Sequence, residues 1–354
     1  MCGVPACYVG NDFKSIGSDV FEVAQWWDDH VPRHFNLSYC DVHYLGEHVF
    51  RSVPRLKSLS LAGNVRLRPA ELELALAGLR PPPTALDTVI LSHANVTDVQ
   101  SLVRRLQTAT NITRLELAYN RIRTVPQRTF FFLSALRHLD LSHNEISRVD
   151  GLSGLARLEY LSLAFNALER VESSMFEGLH ELRDLDVSYN AIVGDLDAEA
   201  LLGLFNLRAV DVSGNRVRRI VVDGGGLESL EVLSASWNRI ADLRFAGRLP
   251  RLRSVDVSHN AIARLANDVF PLGQRVELLN LSGNSISDMA AGALRRASFG
   301  TIDLSWNKLT TLQDAGWTSV DVLLAHDNDL TEVAIVTHYM YVLLLTLRSF
   351  DLRA

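Results

Sequence analysis

Acidic, aromatic and histidine side chains recur along this 354-residue chain in columns with steps of about 24 residues. The acidic column contains Glu116, Asp140, Asp186, Asp211, Asp256 and Asp303. Three places further on stands a ring column of Tyr39, His93, Tyr119, His143, Phe165, Tyr189, Trp237, His259 and Trp306. Aromatic side chains anchor protein interfaces, and charged groups give them specificity. The two columns therefore predict a surface that binds another protein.

The predicted partner-binding site lies between Tyr119 and His259. Its residues are Tyr119, Asp140, His143, Phe165, Asp186, Tyr189, Asp211, Trp237, Asp256 and His259. A structural interpretation stays open for each column, because an aspartate can cap neighbouring backbone and a ring can pack on its neighbour for stability alone. Aspartate can also pair with a nearby basic column, which contains Lys57, Arg137, Arg183, Arg208 and Arg253.

Catalytic and metal chemistry is disfavoured by the motifs present. The chain has no phosphate-binding loop, nucleophile elbow, His-Glu-x-x-His string or dinucleotide fingerprint, and Gly224, Gly225 and Gly226 fall in a turn between repeats. Stacked carboxylates would form an open, wet surface without the pocket that tunes catalytic pKa values. No histidine pair has metal-ligand spacing. We therefore predict a non-enzymatic protein without cofactor or metal.

A repeated string sets the spacing of these columns, and its clearest copy is LRHLDLSHNEI at residues 136–146. In the pattern L-x-x-L-x-L-x-x-N-x-L, leucines alternate with period two, which predicts a short strand with one buried face. The asparagine falls where the chain bends away. Its amide can both donate to and accept from backbone groups, within its turn and towards the next. A second pattern, F-x-x-L-x-x-L, predicts that Phe50, Phe130 and Phe176 fill the outer half of the core.

The asparagine place can be followed through 14 turns, and eleven of them carry asparagine. The residues are Cys40, Asn64, Ala94, Asn120, Asn144, Asn166, Asn190, Asn215, Asn238, Asn260, Asn284, Asn307, Asn328 and Phe350. A fixed period of this kind indicates a solenoid. We predict an α/β solenoid, a leucine-rich repeat horseshoe of about 14 turns with a parallel β-sheet on its concave face.

Two parts are expected: an N-terminal cap at residues 1–31, with a short amphipathic helix at 18–31, and the solenoid at 32–354. A helix is also expected at 71–80, ended by three prolines. The apolar run at 333–347 is too short for a membrane helix and is interpreted as a degenerate last turn. We expect the edge after it to be covered by a missing segment or to be available for a homo- or hetero-oligomer.

Cysteines and sequons bear on the compartment. Cys2, Cys7 and Cys40 cluster near the start, which favours a disulfide of Cys40 with Cys2 or Cys7, whereas three free thiols would fit a cytosolic protein. Residues 1–17 do not look like a signal peptide. Four N-x-S/T sequons fit secretion, at Asn36, Asn95, Asn111 and Asn280. Glycans at Asn36 and Asn280 would stand on the inner face.

The repeat length, the LDLSxN string and the outer phenylalanine resemble the typical class of leucine-rich repeats in extracellular animal proteins. That class includes Toll-like receptor ectodomains, neuronal adhesion proteins and insect immune factors, and the resemblance covers residues 32–352. The opening FNLSYCDVHYL is similar to that of mosquito leucine-rich repeat immune proteins, a family that binds complement-like proteins. Their cysteine-rich and coiled-coil C-terminal parts do not follow here, so that partnership is not carried over.

The sequence thus predicts an extracellular domain, secreted or part of a receptor, that binds a protein on its concave face in innate immunity or cell adhesion. Alternatives are a cytosolic scaffold or regulatory subunit, and a fragment of a longer receptor that only spaces other domains. The net charge of −6, spread through both halves, gives no reason to expect nucleic acid or an anionic membrane. Membrane attachment would need a C-terminal segment beyond this sequence.

Overall fold

The computed structural model describes residues 15–16, 33–47, 49–50, 56–77, 79, 85–222, 227–312 and 320–331. Most of the predicted cap, its helix at 18–31, the turn at Phe350 and the apolar run at 333–347 lie outside the described residues. The prediction of an oligomer through the C-terminal edge is therefore untested. The chain divides into two compact units, Met1–Leu168 with Glu172–Leu182, and Glu169–Val171 with Arg183–Ala354.

The first unit is built from short strands and two helices. In chain order these are β1 (Ser15–Ile16), β2 (His34–Asn36), β3 (Tyr44–Leu45), β4 (Ser58–Ser60), α1 (Pro69–Ala77), β5 (Thr88–Ile90), α2 (Val99–Arg105), β6 (Arg114–Glu116), β7 (Thr124–Val125), β8 (His138–Asp140), β9 (Arg148–Val149), β10 (Tyr160–Ser162) and a 3-10 turn at Ser173–Met175. The main sheet is parallel, in the order β2-β4-β5-β6-β8-β10. Two small parallel pairs, β1-β3 and β7-β9, lie beside it.

The second unit repeats this design without α-helices among its described residues. Its elements are β11 (Asp184–Asp186), β12 (Val193–Asp197), a 3-10 turn at Ala198–Leu201, β13 (Ala209–Asp211), β14 (Arg216–Val221), β15 (Val232–Ser234), a 3-10 turn at Arg244–Arg248, β16 (Ser254–Asp256), β17 (Arg264–Leu265), β18 (Arg275–Asn280), β19 (Asp288–Met289), β20 (Ser298–Asp303) and β21 (Val320–Leu324). The parallel order of its main sheet is β11-β13-β15-β16-β18-β20-β21. The parallel pairs β12-β14 and β17-β19 lie outside that sheet.

The strand register places equivalent residues of neighbouring repeats side by side. Leu139 pairs with Leu161 in the next strand, and both are fully buried. The flanking residues His138 and Asp140 point to the opposite side of the sheet, because side chains alternate along a strand. We call that side of each main sheet the inner face. The phenylalanines predicted to fill the outer core, Phe50, Phe130 and Phe176, are also buried.

The helices differ from the prediction in detail. The helix expected at 71–80 begins earlier, at Pro69, since proline is tolerated in the first turn of a helix, and it ends at Ala77. The helix α2 was not predicted. Its signal is Asp98, whose carboxylate accepts the Ser101 N–H at 3.0 Å as an N-cap.

An asparagine ladder joins successive turns of each unit. The amide of Asn215 donates to the carbonyls of Val212 at 2.9 Å and of Val187, one turn back, at 3.1 Å, and it accepts the Ile192 N–H at 3.0 Å. Asn120 and Asn284 make equivalent bonds. The predicted role is confirmed with one change of direction, because each amide reaches back to the preceding turn.

The coarse fold prediction is confirmed: the chain forms a parallel-sheet solenoid of about eleven regular turns. The count of 14 turns and the horseshoe shape stay predictions. Where asparagine is missing, at Ala94, the neighbouring Asn120 accepts two N–H groups, from Ala94 at 3.1 Å and from Val96 at 2.9 Å. The irregular turn thus stays hydrogen-bonded to the asparagine of the following turn.

We expect Asn215→Ala to lower the free energy of unfolding by about 3 kcal/mol, because buried backbone groups of two turns would lose their partners. Urea denaturation followed by circular dichroism measures this. The matched control is Asn267→Ala, since Asn267 is exposed and makes no hydrogen bond to any described residue. Equal losses in the two variants would contradict a structural ladder.

Candidate protein-binding surfaces

Four rings of the first unit form a continuous stack at the rim of the inner face. The ring centroids of His93 and Tyr119 are 4.2 Å apart, those of Tyr119 and His143 are 4.0 Å apart, and those of His143 and Phe165 are 4.1 Å apart. Interplanar angles of 9–11° make every contact a stack. Tyr119 and Phe165 stay 47% and 42% exposed. The structure therefore brings together three predicted site residues and adds His93.

The bend of each turn sets the direction of its ring. Every ring residue precedes the ladder position and has left-handed backbone, with φ of 56° at Tyr119 and 52° at His143. This conformation costs roughly 1–2 kcal/mol for a residue with a Cβ. It persists because hydrogen bonds hold the turn: the His143 N–H donates to the Ala164 carbonyl at 2.8 Å, and Asn144 bonds backbone of its own turn and of the preceding one. The backbone thus holds the rings in fixed positions.

Rings of the second unit stack in a shorter arrangement. Trp237 and His259 lie 4.0 Å apart at 14°. The ring of Tyr189 covers Gly214, where an added Cβ would come within 2.6 Å of the ring, and His259 covers Gly283 in the same way. Glycine in this column also supplies the left-handed backbone, with φ of 67° at Gly214. A glycine here therefore makes room for the ring of the preceding turn.

The predicted carboxylates all have a structural role. One oxygen of Asp140 accepts the Ser142 N–H, two residues on, at 2.9 Å. The same bond, at 2.8–2.9 Å, is made in the second unit by Asp186 to Ser188, Asp211 to Ser213 and Asp256 to Ser258. The structural interpretation of the aspartates is thus correct. A carboxylate has further acceptor sites, so this bond leaves capacity for a partner.

Four of the six carboxylates of the acidic column lie in the second unit. Strand register places Asp186 beside Asp211, and Ser234 separates Asp211 from Asp256. Burial raises the pKa of Asp211, against the hydrogen bond from Ser213, and the charges of Asp186 and Asp256 raise it further. A cationic group of a partner would relieve this repulsion.

A second ring pair was not predicted from the sequence. His138 and Tyr160 stack with centroids 4.3 Å apart and rings 5° from parallel. Both precede a buried leucine and face the inner side by the same period of two. Burial and the charge of Arg114 lower the pKa of His138, although Asp140 opposes this. A search of the residue before each strand leucine would have found the pair.

Part of the predicted basic column is engaged in ion pairs between turns. Arg137 pairs with Glu159, and Lys57 lies 3.8 Å from Asp87. In the second unit, Arg183 and Arg208 lower the pKa of Asp184, although burial raises it by more. The basic column therefore neutralises carboxylates along the strand starts, at Glu159, Asp87 and Asp184.

The modification sites differ in accessibility. Asn111 is exposed, whereas Asn36, Asn95 and Asn280 are half-buried. The side-chain oxygen of Asn280 accepts both the N–H and the hydroxyl of Ser282. Cys40 is disulfide-bonded, and Cys2 and Cys7 lie outside the described residues.

The described part of the chain shows neither a metal-binding cluster nor a membrane-spanning helix. No three His, Cys, Asp or Glu side chains come together there as a metal ion would need. No helix in the same residues is long and apolar enough to cross a membrane.

Comparison with known proteins agrees with the repeat pattern. A family model described as leucine rich repeat matches residues 110–168, 156–217 and 250–309. Tsukushi-A of Xenopus laevis is 34% identical over 111 residues, which are 29% of this chain and 31% of that protein. Human Lumican is 31% identical over 115 residues, covering 31% and 33% of the two chains. The matching part thus spans about a third of these relatives.

A solved structure of the LRIM1/APL1C complex superposes with a TM-score of 0.65 over 84% of this chain and 52% of that chain, at 19% identity. This likeness shows the fold alone. Stacked strands, buried leucines and an asparagine at each bend define the class of leucine-rich repeat solenoids. Together with the matches, they show that this chain carries leucine-rich repeats, and these repeats are similar to those of the extracellular type.

We expect Asp211→Asn to stabilise the protein at neutral pH. Because folding raises the pKa of Asp211 above its ordinary value of 3.8, stability is lost as pH rises from that value through the folded pKa. Asparagine does not ionise, and Asn280 shows that an amide makes the same turn bond at 3.1 Å. Urea denaturation at several pH values should show a difference that grows above pH 3.8 and vanishes below it.

Asp303→Asn is the matched control for this prediction. Asp303 caps Ser305 in the same way, but its strand neighbours Asn280 and Leu324 carry no charge. A pH dependence of equal size in both variants would show that neighbouring carboxylates are not responsible.

Proposed function

We propose that this chain is a non-enzymatic, extracellular protein-binding domain that holds a protein partner on the inner face of its repeats. The observation that carries the proposal is the stack of exposed, fixed rings from His93 to Phe165. Ordered aromatic side chains contribute contact area at little further entropic cost on binding. Because their faces are covered by each other, they present edges, ring nitrogens and the Tyr119 hydroxyl to a partner.

Each unit supplies its own candidate surface. In the first, the rings border Asp140 and the His138–Tyr160 pair. In the second, Trp237 is 58% exposed and stacks on His259, and Asp211 and Asp256 lie on the strands of the same inner face. Exposed tryptophan and tyrosine beside charged groups are typical of interface hot spots. The concave side predicted for the solenoid would make these surfaces accessible to a folded protein.

Three observations support an extracellular setting. The repeats are of the extracellular type, Cys40 is disulfide-bonded, and the sequon asparagine Asn111 is exposed. Disulfides persist in oxidising compartments. Within that setting we favour innate immunity or cell adhesion. The LRIM1/APL1C neighbour is described as a complex, which supports a protein as the partner.

Enzymatic activity is disfavoured by the chemistry of the inner face. Aspartates of the inner face such as Asp140 and Asp211 are held in turn-capping hydrogen bonds on an open surface. General acid-base catalysis needs a site that excludes water and places a base against a substrate proton. The inner face supplies neither in the residues described.

Tryptophan and tyrosine truncation tests the surfaces separately. We expect Trp237→Ala or Tyr119→Ala to weaken partner binding by about 30-fold, the cost of losing one hot spot of roughly 2 kcal/mol. The tagged domain is incubated with extracellular fluid, cross-linked, and its captured proteins are quantified by mass spectrometry.

The control for this experiment is Leu272→Ala, because Leu272 is 83% exposed and lies outside the main sheet. A genuine inner-face partner is captured equally by the control and wild type. A partner retained in full by both ring variants, with unchanged folding, would overturn the proposal.

Glycan attachment tests the setting independently. We expect a chain secreted behind an added signal peptide to lose one glycan mass on Asn111→Gln and to keep it on Thr113→Ser, which preserves the sequon. Intact mass before and after glycosidase measures this, with one of the three cysteines expected to react with iodoacetamide. Bare asparagines and three reactive thiols would instead favour the cytosolic scaffold.

A further inference from the structure

Four exposed arginines lie together on the side of the second unit, away from its inner face. They are Arg216, Arg218 and Arg219 of β14, and Arg239 of the following turn. The whole chain carries a net charge of −6, so a local group of this sign is not explained by composition. None of the four belongs to the ring or acidic columns.

A β-bulge positions the central arginine. In the pairing of β12 with β14, Gly194 lies opposite Val217 and Asp195 opposite Arg219, so Arg218 has no residue across from it. The extra residue of a bulge increases local twist and re-aims its side chain. Arg218 is therefore directed out of the small sheet by the backbone itself.

Arg216 and Arg239 occupy the same place in successive turns. Each directly follows a ladder asparagine, and each N–H donates to the preceding turn, Arg216 to Ile192 at 2.8 Å and Arg239 to Val217 at 2.9 Å. Stacked turns are about 4.8 Å apart. Alanine stands at this place in the turns before and after, Ala191 and Ala261, so the two arginines form an isolated pair.

The cluster keeps a positive excess after its ion pairs are counted. Arg219 pairs with Asp195 at 3.1 Å through its Nε atom, which lowers the pKa of Asp195, and Arg218 lowers it further. The next carboxylate, Asp242, lies 3.9 Å from Arg244. Among the described residues, Arg216, Arg218 and Arg239 form no ion pair.

We propose that this cluster, Arg216, Arg218, Arg219 and Arg239, binds a sulfated polysaccharide chain. A guanidinium donates two parallel hydrogen bonds to a sulfate and is weakly hydrated, so arginine suits this ligand better than lysine. A linear polyanion can extend from Arg216 in one turn to Arg239 in the next. The residue paired with Arg216 across β12 and β14 is the exposed Val193, whose side chain has no ring for nucleobase stacking. A sulfated chain also fits the extracellular type of the repeats. This site is separate from the inner face, so it extends the proposed function.

The test uses immobilised heparin as the probe. We expect the full chain to bind at 150 mM NaCl, roughly the physiological ionic strength, and the triple variant R216A/R218A/R239A to bind about tenfold more weakly by surface plasmon resonance. The matched control is R264A/R275A, because Arg264 and Arg275 are exposed on the same unit but paired with Asp288 and Asp321. Its binding should equal that of wild type.

A charge-preserving variant separates the contribution of the guanidinium group's paired hydrogen bonds from the contribution of positive charge alone. R216K/R218K/R239K keeps the charge and the fold, and we expect its affinity to lie between those of wild type and the alanine variant. Thermal melts by circular dichroism check that all variants fold. Competition by fully sulfated heparin, with little competition by N- and O-desulfated heparin, would support sulfate recognition.

Three outcomes would overturn the proposal. They are an absence of binding by wild type, equal weakening by the alanine triple and by the control, and equal competition by single-stranded DNA. The last would show a sequence-independent polyanion surface. Loss of heparin binding with partner capture intact, or the reverse, distinguishes this site from the inner face.

Discussion

The hydrogen bonds between asparagine amides and backbone are the interaction on which this structure depends. Each bend would leave carbonyl and N–H groups of two neighbouring turns unpaired inside the core, and a buried unpaired group costs about 1–3 kcal/mol. One side chain that both donates and accepts solves this for both turns, as Asn215 does for Val212 in its own turn and for Val187 and Ile192 in the preceding turn. The leucine core can then continue from turn to turn, because the chain returns to the same place each time.

The ring column is a consequence of the same bend. The residue before each asparagine has left-handed backbone, which directs its side chain along the rim of the inner face. Rings in successive turns then meet at about the spacing of stacked strands, as Tyr119 and His143 do at 4.0 Å. The ring stack therefore stabilises the solenoid and at the same time offers an ordered surface. The structural and binding interpretations of these residues are compatible.

Charge is divided among surfaces in a similar way. Aspartates on the inner face cap the strand ends, and arginines at the strand starts pair with carboxylates of neighbouring turns. The cluster of four arginines, three of them on β14, lies outside the inner face. A solenoid permits this because each place in the repeat is a separate row on the surface. One protein can thus present an acidic, aromatic face and a basic flank without mixing them.

The sequence by itself determined the repeat, the buried leucines, the outer phenylalanines and the backbone role of the asparagines, because each depends on periodicity along the chain. It also placed Tyr119, His143 and Trp237 in one column. Only the tertiary structure decided that rings stack, that Gly214 receives the ring of Tyr189, and that a bulge directs Arg218 outward. These features depend on which residues become neighbours across turns, and a repeat pattern gives the order of the turns but not the atomic contacts between them. The helix α2 was missed for a different reason, since a local cap at Asp98 overrides the repeat there.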